Sequence, residues 1–134
     1  MTEGAEIPAA YRKDQEWDSP KQIPFGKGNG LEVVATGIIS GFKQAQDNYE
    51  IVGWILTSDI SATITMDVWK KTSYPPANGD SLGTTKATIG AGTSASGVPD
   101  WSVREITKGD WLGAEIEAND AGMAIDFFLL VRRR

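Results

Sequence analysis

The sequence predicts an all-β protein, an antiparallel β-sandwich or jelly roll of about seven or eight short strands. Three observations carry this. Apolar and polar residues alternate with a period of two, most clearly where Ala62, Ile64, Met66 and Val68 interleave with Thr63, Thr65, Asp67 and Trp69. Fifteen Gly and six Pro fall mostly between apolar runs, as a chain of many turns requires. No stretch carries a helical period.

At 134 residues, 40% of them hydrophobic, the chain has the length and composition of one domain with a real core. Residues 1–30 read as an extended N-terminal arm and 31–134 as the sandwich domain. The arm has scattered charges, Pro8, Pro20 and Pro24, and the glycine-rich run Gly26 to Gly30. Ile7, Tyr11, Trp17, Ile23 and Phe25 are too many large apolar side chains for a purely solvating tail, so the arm is expected to order on a neighbouring subunit.

From Leu31 to Ile39 a strand is expected. Ile51 to Lys71 reads as a hairpin, its reversal at Thr57 to Ser61, where hydroxyl and carboxyl side chains can bond their own backbone. In its first strand Val52, Trp54 and Leu56 form the inward set and Ile51 and Ile55 the outward one. Thr72 to Pro99 reads as a long loop with at most a short strand at Lys86 to Ile89. Trp101 to Ile106 is the next strand, then Lys108-Gly109-Asp110 turns the chain. Leu112, Ala114, Ile116 and Ala118 then face inward, with Trp111, Glu115 and Glu117 outward. Asn119 to Gly122 turns it again, and Met123, Ile125, Phe127, Leu129 and Val131 line one face of a last strand. Phe128 and Leu130 make that strand apolar on both faces, which places it mid-sheet or under a subunit contact.

Composition removes whole classes of chemistry. With no Cys and no His, the Ser-His-Asp triad, the Cys-His pair and zinc-thiolate sites are all excluded. A formal charge of −5 disfavours nucleic-acid binding, Arg132 to Arg134 being the local exception. The first residues lack a signal peptide's basic and apolar regions, and Phe127 to Val131 is too short to span a bilayer. Glu115 and Glu117 share a strand face at roughly 7 Å, a spacing an inverting glycosidase uses, but outward Glu on a strand ordinarily reads as solvated surface. Asp47, Asn48 and Glu50, and Asn119 with Asp120, offer oxygen ligands for calcium. They lack EF-hand spacing and fall where turns are expected. No catalytic residue, cofactor or metal is therefore assigned. Trp69, Tyr74, Trp101 and Trp111 can be read as a platform for sugar rings, or as side chains packed under loops or in a subunit interface.

The order of motifs after Ile51 carries a resemblance: IVGWILTSDISATITMDVWK, SYPPANGDSL, a Ser/Gly stretch to Trp101, ITKGDWLGAEIEA and FFLLV. Together they resemble a small β-sandwich module of bacteriophage virion proteins, of the kind found in capsid decoration and tail-fibre proteins. The resemblance implies a structural or fibre-tip role and assembly as trimers, and it carries no catalytic residues. The chain departs from it in having no long shaft or collagen-like region. The expectation is a non-enzymatic capsid decoration or cement protein that clasps neighbouring capsid subunits. It would be made in the host cytoplasm and carried in the virion, as a homotrimer contacting the major capsid protein or other virion proteins, away from membrane and nucleic acid. Its interface residues would be Tyr11, Trp17, Phe25, Trp69, Trp111, Phe128 and Leu130. The alternative is a carbohydrate-binding receptor module of a tail fibre or tail tip, with Trp69, Tyr74, Trp101 and Trp111 as the glycan contacts.

Overall fold

A computed structural model describes residues 21–39, 41–76, 80–83, 85–98, 101 and 103–134. Eight strands appear: β1 Lys21–Lys27, β2 Gly37–Ile38, β3 Lys43–Gln44, β4 Tyr49–Lys71, β5 Ala87–Gly97, β6 Glu105–Ile106, β7 Trp111–Asn119 and β8 Ile125–Arg133. They form a single curled antiparallel sheet along the path β1-β8-β4-β7-β2, with β3 also on β7 and β5 and β6 also on β4. There is no helix among the described residues.

The organising element is β4, 23 residues without a reversal. The expected hairpin at Thr57 to Ser61 is not formed. One edge of β4 pairs with β8 from Tyr49 to Ser58 and with β7 from Ile64 to Lys71. The other edge carries β5 from Trp54 to Met66. Thus β7 and β8 run end to end back along β4, and residues 120–124 are an excursion between them rather than a hairpin turn. Where β4 passes from one partner to the next, the Asp59 carboxylate accepts bonds from the Met123 and Ala124 N–H groups, both at 2.9 Å. Asp120 Oδ1 accepts from the Thr63 N–H at 2.8 Å. The register of β4 against β5 slips between Thr57 and Ala62, and such irregularities bend a strand and increase its twist. Turn-forming residues here fasten a bend in the sheet.

The curl brings both halves onto one core. Ile125, Phe127, Leu129 and Val131 of β8, Leu112, Ala114 and Ile116 of β7, and Ile64, Met66 and Val68 of β4 are all buried together. Ala118 is exposed instead of inward, because the β4–β7 register shifts between Thr65 and Met66. In the first half of β4, Leu56 is buried and Trp54 packs on the core, but Ile51 is buried too and Val52 is only half-buried. A register shift between Ile51 and Gly53 against β8 exchanges their faces. As expected, β8 lies mid-sheet, between β1 and β4.

Three further expectations are corrected. The arm does not extend to Gly30: Lys21–Lys27 pairs with β8 in full, and Phe25, 3% exposed, lies 6.4 Å from the Phe127 ring inside the core. Phe25 is therefore not an interface residue. The supposed loop between Thr72 and Pro99 contains β5, eleven residues long. Its Gly97 lets the Trp54 ring lie where a Cβ would sit, 2.9 Å from Cζ2. The strands expected at Leu31 to Ile39 and Trp101 to Ile106 shrink to the two-residue β2 and β6.

A chain beginning at Lys21 is expected to unfold cooperatively near the temperature of the full chain. One beginning at Leu31 loses β1 and Phe25, a loss of about 3–5 kcal/mol for a buried Phe alone, and should melt far lower. Calorimetry of the two chains decides this, and equal melting temperatures would mean that β1 is dispensable.

Candidate functional site

Sequence spacing places Asp67, Trp69, Trp111, Glu115 and Glu117 on the sheet face away from the core. The structure confirms the face and adds the pairing: Asp67 opposes Glu115, and Trp69 opposes Gly113, across β4 and β7. Like charges directly opposed on a sheet destabilise it, so this pair needs a counter-charge. Lys86, just before β5, supplies it. Its Nζ lies 2.9 Å from Asp67 Oδ1 and 3.9 Å from Glu117 Oε2. One oxygen each of Asp67, Glu115 and Glu117 falls within 4.8 Å of the others.

Asp67 was expected at the wet surface, but it is buried. Its Oδ1 also accepts from the Val68 N–H at 2.9 Å, and its Oδ2 from Trp69 Nε1 at 3.0 Å and Ser81 Oγ at 2.6 Å. A carboxylate offers about four acceptor positions, and these four donors occupy them. That saturation leaves Asp67 little capacity to ligate a metal. Trp69, expected at an interface, is likewise buried within the chain, and it bridges to Ser81.

Burial raises the Glu115 carboxyl above its ordinary value of 4.5; the Glu117 and Asp67 charges push the same way and Lys86 opposes them. The folded chain therefore holds this proton more tightly than the unfolded one. Stability falls as pH rises from about the ordinary value toward the raised one, and the penalty persists above it. Glu115→Gln should thus be more stable than the parent at pH 7, with the difference closing near pH 4. Denaturant titrations at both pH values test this, and a variant less stable at pH 7 would contradict it. Asp59 shifts the other way, held below its ordinary value by the Met123 and Ala124 N–H groups.

Beside this acidic group stands an aromatic one. Tyr74 meets Trp111 edge-to-face at 4.9 Å between centroids and Phe42 at 5.8 Å. Gly113 makes room, since a Cβ there would lie 2.9 Å from Phe42 Cδ1. Tyr74 is 63% exposed and Trp111 half-buried. Of the four glycan candidates the structure joins only these two. Trp101 is buried and donates through Nε1 to the Thr85 carbonyl. Phe42 was missed, having no periodic strand around it to give it a face.

Of the other interface candidates, Phe128 and Leu130 are half-buried on the outer face of β8, where Phe128 pairs with Ile55 of β4 and Pro24 of β1. Tyr11 and Trp17 lie outside the described residues. The oxygen clusters considered for calcium are engaged in local structure. Asp47 accepts from the Asn48 N–H and pairs with Arg133 at 2.8 Å, and Asn48 Oδ1 accepts from the Lys108 N–H. Asn119 accepts from the Gly122 N–H and donates to the Val34 carbonyl. Two surface depressions, of about 440 Å³ around Lys27 to Ala35 and about 390 Å³ around Glu50, Lys70 and Arg104, share no lining residue with the acidic or the aromatic group.

No protein-family model matches the chain, and no curated protein and no solved structure matches it either.

Proposed function

We propose that the chain is a non-enzymatic structural protein of a phage virion, a capsid decoration or cement protein, with the curled sheet serving as a β-sandwich of the jelly-roll kind. The observation that supports this best is the sheet's outer surface. The polar groups around Asp67 are spent on internal bonds, and among the polar side chains that remain outward stand the exposed Tyr74 and the half-buried Ile55, Trp111, Phe128 and Leu130. Such surfaces serve contact rather than turnover. Residues 1–20 precede β1 in the sequence, and β1 ends the strand order among the described residues, a position from which a preceding segment can clasp a neighbour. Assembly as a trimer follows from the resemblance. Trp69, buried inside the chain, no longer contributes to the contact surface, which leaves Phe128, Leu130 and Trp111 with Ile55. Closed symmetry would protect that surface from open-ended association.

The test is binding of purified chain to shells of the parent phage lacking it, read by sedimentation and by light scattering of the free chain. Saturable binding at fixed stoichiometry by a trimer supports the reading, and its absence from shells overturns it. A glycan-binding module of a tail fibre or tip is the second reading, favoured by the exposed Tyr74 against Trp111. Retention on a glycan array, lost in Tyr74→Ala, would establish it instead.

A further inference from the structure

We propose that Lys86 and Asp67 close an intramolecular isopeptide bond, with Glu115 and Glu117 relaying the protons. This inference stands apart from the virion reading and does not depend on it. The geometry supplies each part that amide formation needs. The nucleophile, Lys86 Nζ, is held 2.9 Å from an oxygen of a carboxyl whose side chain is only 3% exposed. Trp69 Nε1–H and Ser81 Oγ–H both donate to the other oxygen, Oδ2. They draw charge from the carboxyl and are placed to hold Oδ2 as the oxyanion when the amine adds to Cγ.

The proton carriers are the two glutamates. Glu117, 3.9 Å from Nζ, is the base that frees the amine from its ammonium form. Glu115 shares the cluster, and burial raises its affinity for a proton, so it suits the delivery of a proton to the departing oxygen. The balance is complete. A bond forms between Nζ and Cγ, the bond from Cγ to Oδ1 breaks, and Oδ1 leaves as water with the two protons lost by the ammonium. Both glutamates end as they began, and no other reactant is required. In water such a condensation runs backward, but two groups held in contact within a folded chain reach effective molarities of about 10⁵ M or more when well oriented. The bond would tie the last part of β4 to the residue just before β5, closing residues 67–86 into a covalent loop.

The experiment is mass spectrometry of the folded full-length chain, aged at 37 °C and then denatured, beside Lys86→Arg, which keeps the charge and cannot form the amide. The expected result is a chain lighter by one water than its sequence requires, and tryptic digests in which the peptide holding Asp67 is joined to the one holding Lys86. Glu117→Gln with Glu115→Gln should fold and stay at full mass. A parent chain at full mass, giving only linear peptides around Lys86, overturns the proposal and leaves the contact an ion pair.

Discussion

Met66→Asp is expected to leave no cooperative unfolding transition at any temperature. Met66 is fully buried, and in β4 it pairs with Ile116 of β7 on one edge and Ala87 of β5 on the other. All three side chains belong to the common core, and Ile116 and Ala87 are apolar and fully buried. A carboxylate at this position finds no cation, and burying an unpaired ion costs several kcal/mol even after relaxation. Losing the Met adds about 2–5 kcal/mol. The two together consume the whole stability of an ordinary domain, about 5–15 kcal/mol. Thr65→Asp is the control. Thr65 is half-buried on the opposite face, two residues from Asp67, so added repulsion should cost about 1 kcal/mol and no more. Far-UV circular dichroism on heating, with the dispersion of methyl NMR signals, compares the two. Equal damage from both would mean that the faces of β4 are assigned wrongly.

That contrast rests on the part of the fold most legible in the sequence. A period of two needs only one side of the sheet to be dry, and it assigned Ala62 to Val68, Leu112 to Ile116 and Ile125 to Val131 to the core correctly. Reversals were harder to read. Thr57 to Ser61 has the composition of a turn because Asp and Ser bond nearby backbone, yet Asp59 bonds the backbone of Met123 and Ala124, more than sixty residues away. Nothing local distinguishes a side chain that closes a turn from one that pins a bend. The strand β5 was hidden for a related reason. Ala87-Thr-Ile-Gly-Ala-Gly-Thr-Ser-Ala-Ser-Gly97 has little intrinsic strand preference, and it is extended because the edge of β4 offers it a ladder. At the candidate site, Glu115 and Glu117 were visible as neighbours on one face. Asp67 was misplaced at the surface because its partners, Ser81 and Lys86, come from the segment read as loop.

Asp67→Ala is the second large effect, about 3–5 kcal/mol, the usual consequence of removing one partner from a buried ion pair. The argument begins with what is left behind. The Trp69 indole is 1% exposed, and its N–H bonds Asp67 Oδ2, so truncation strands a buried donor. An unsatisfied buried donor costs about 1–3 kcal/mol. Ser81 Oγ loses the same acceptor, and with it goes one tie between residues 80–83 and β4, although the backbone bond from the Leu82 N–H to the Val68 carbonyl remains. Lys86, a quarter exposed, can turn toward Glu117 and water, so its charge is not stranded and the cost falls toward the lower end of that range. Asp67→Asn separates the contributions. It keeps an acceptor for the indole but removes the charge facing Lys86, so it should cost about 1–2 kcal/mol. Trp69→Phe in the Asp67→Ala background then removes the stranded donor and should restore part of the loss. Urea titrations of the four chains, followed by tryptophan fluorescence, measure each step. If Asp67→Ala costs less than about 1 kcal/mol, the four donors are held by the surrounding sheet and not by this carboxylate.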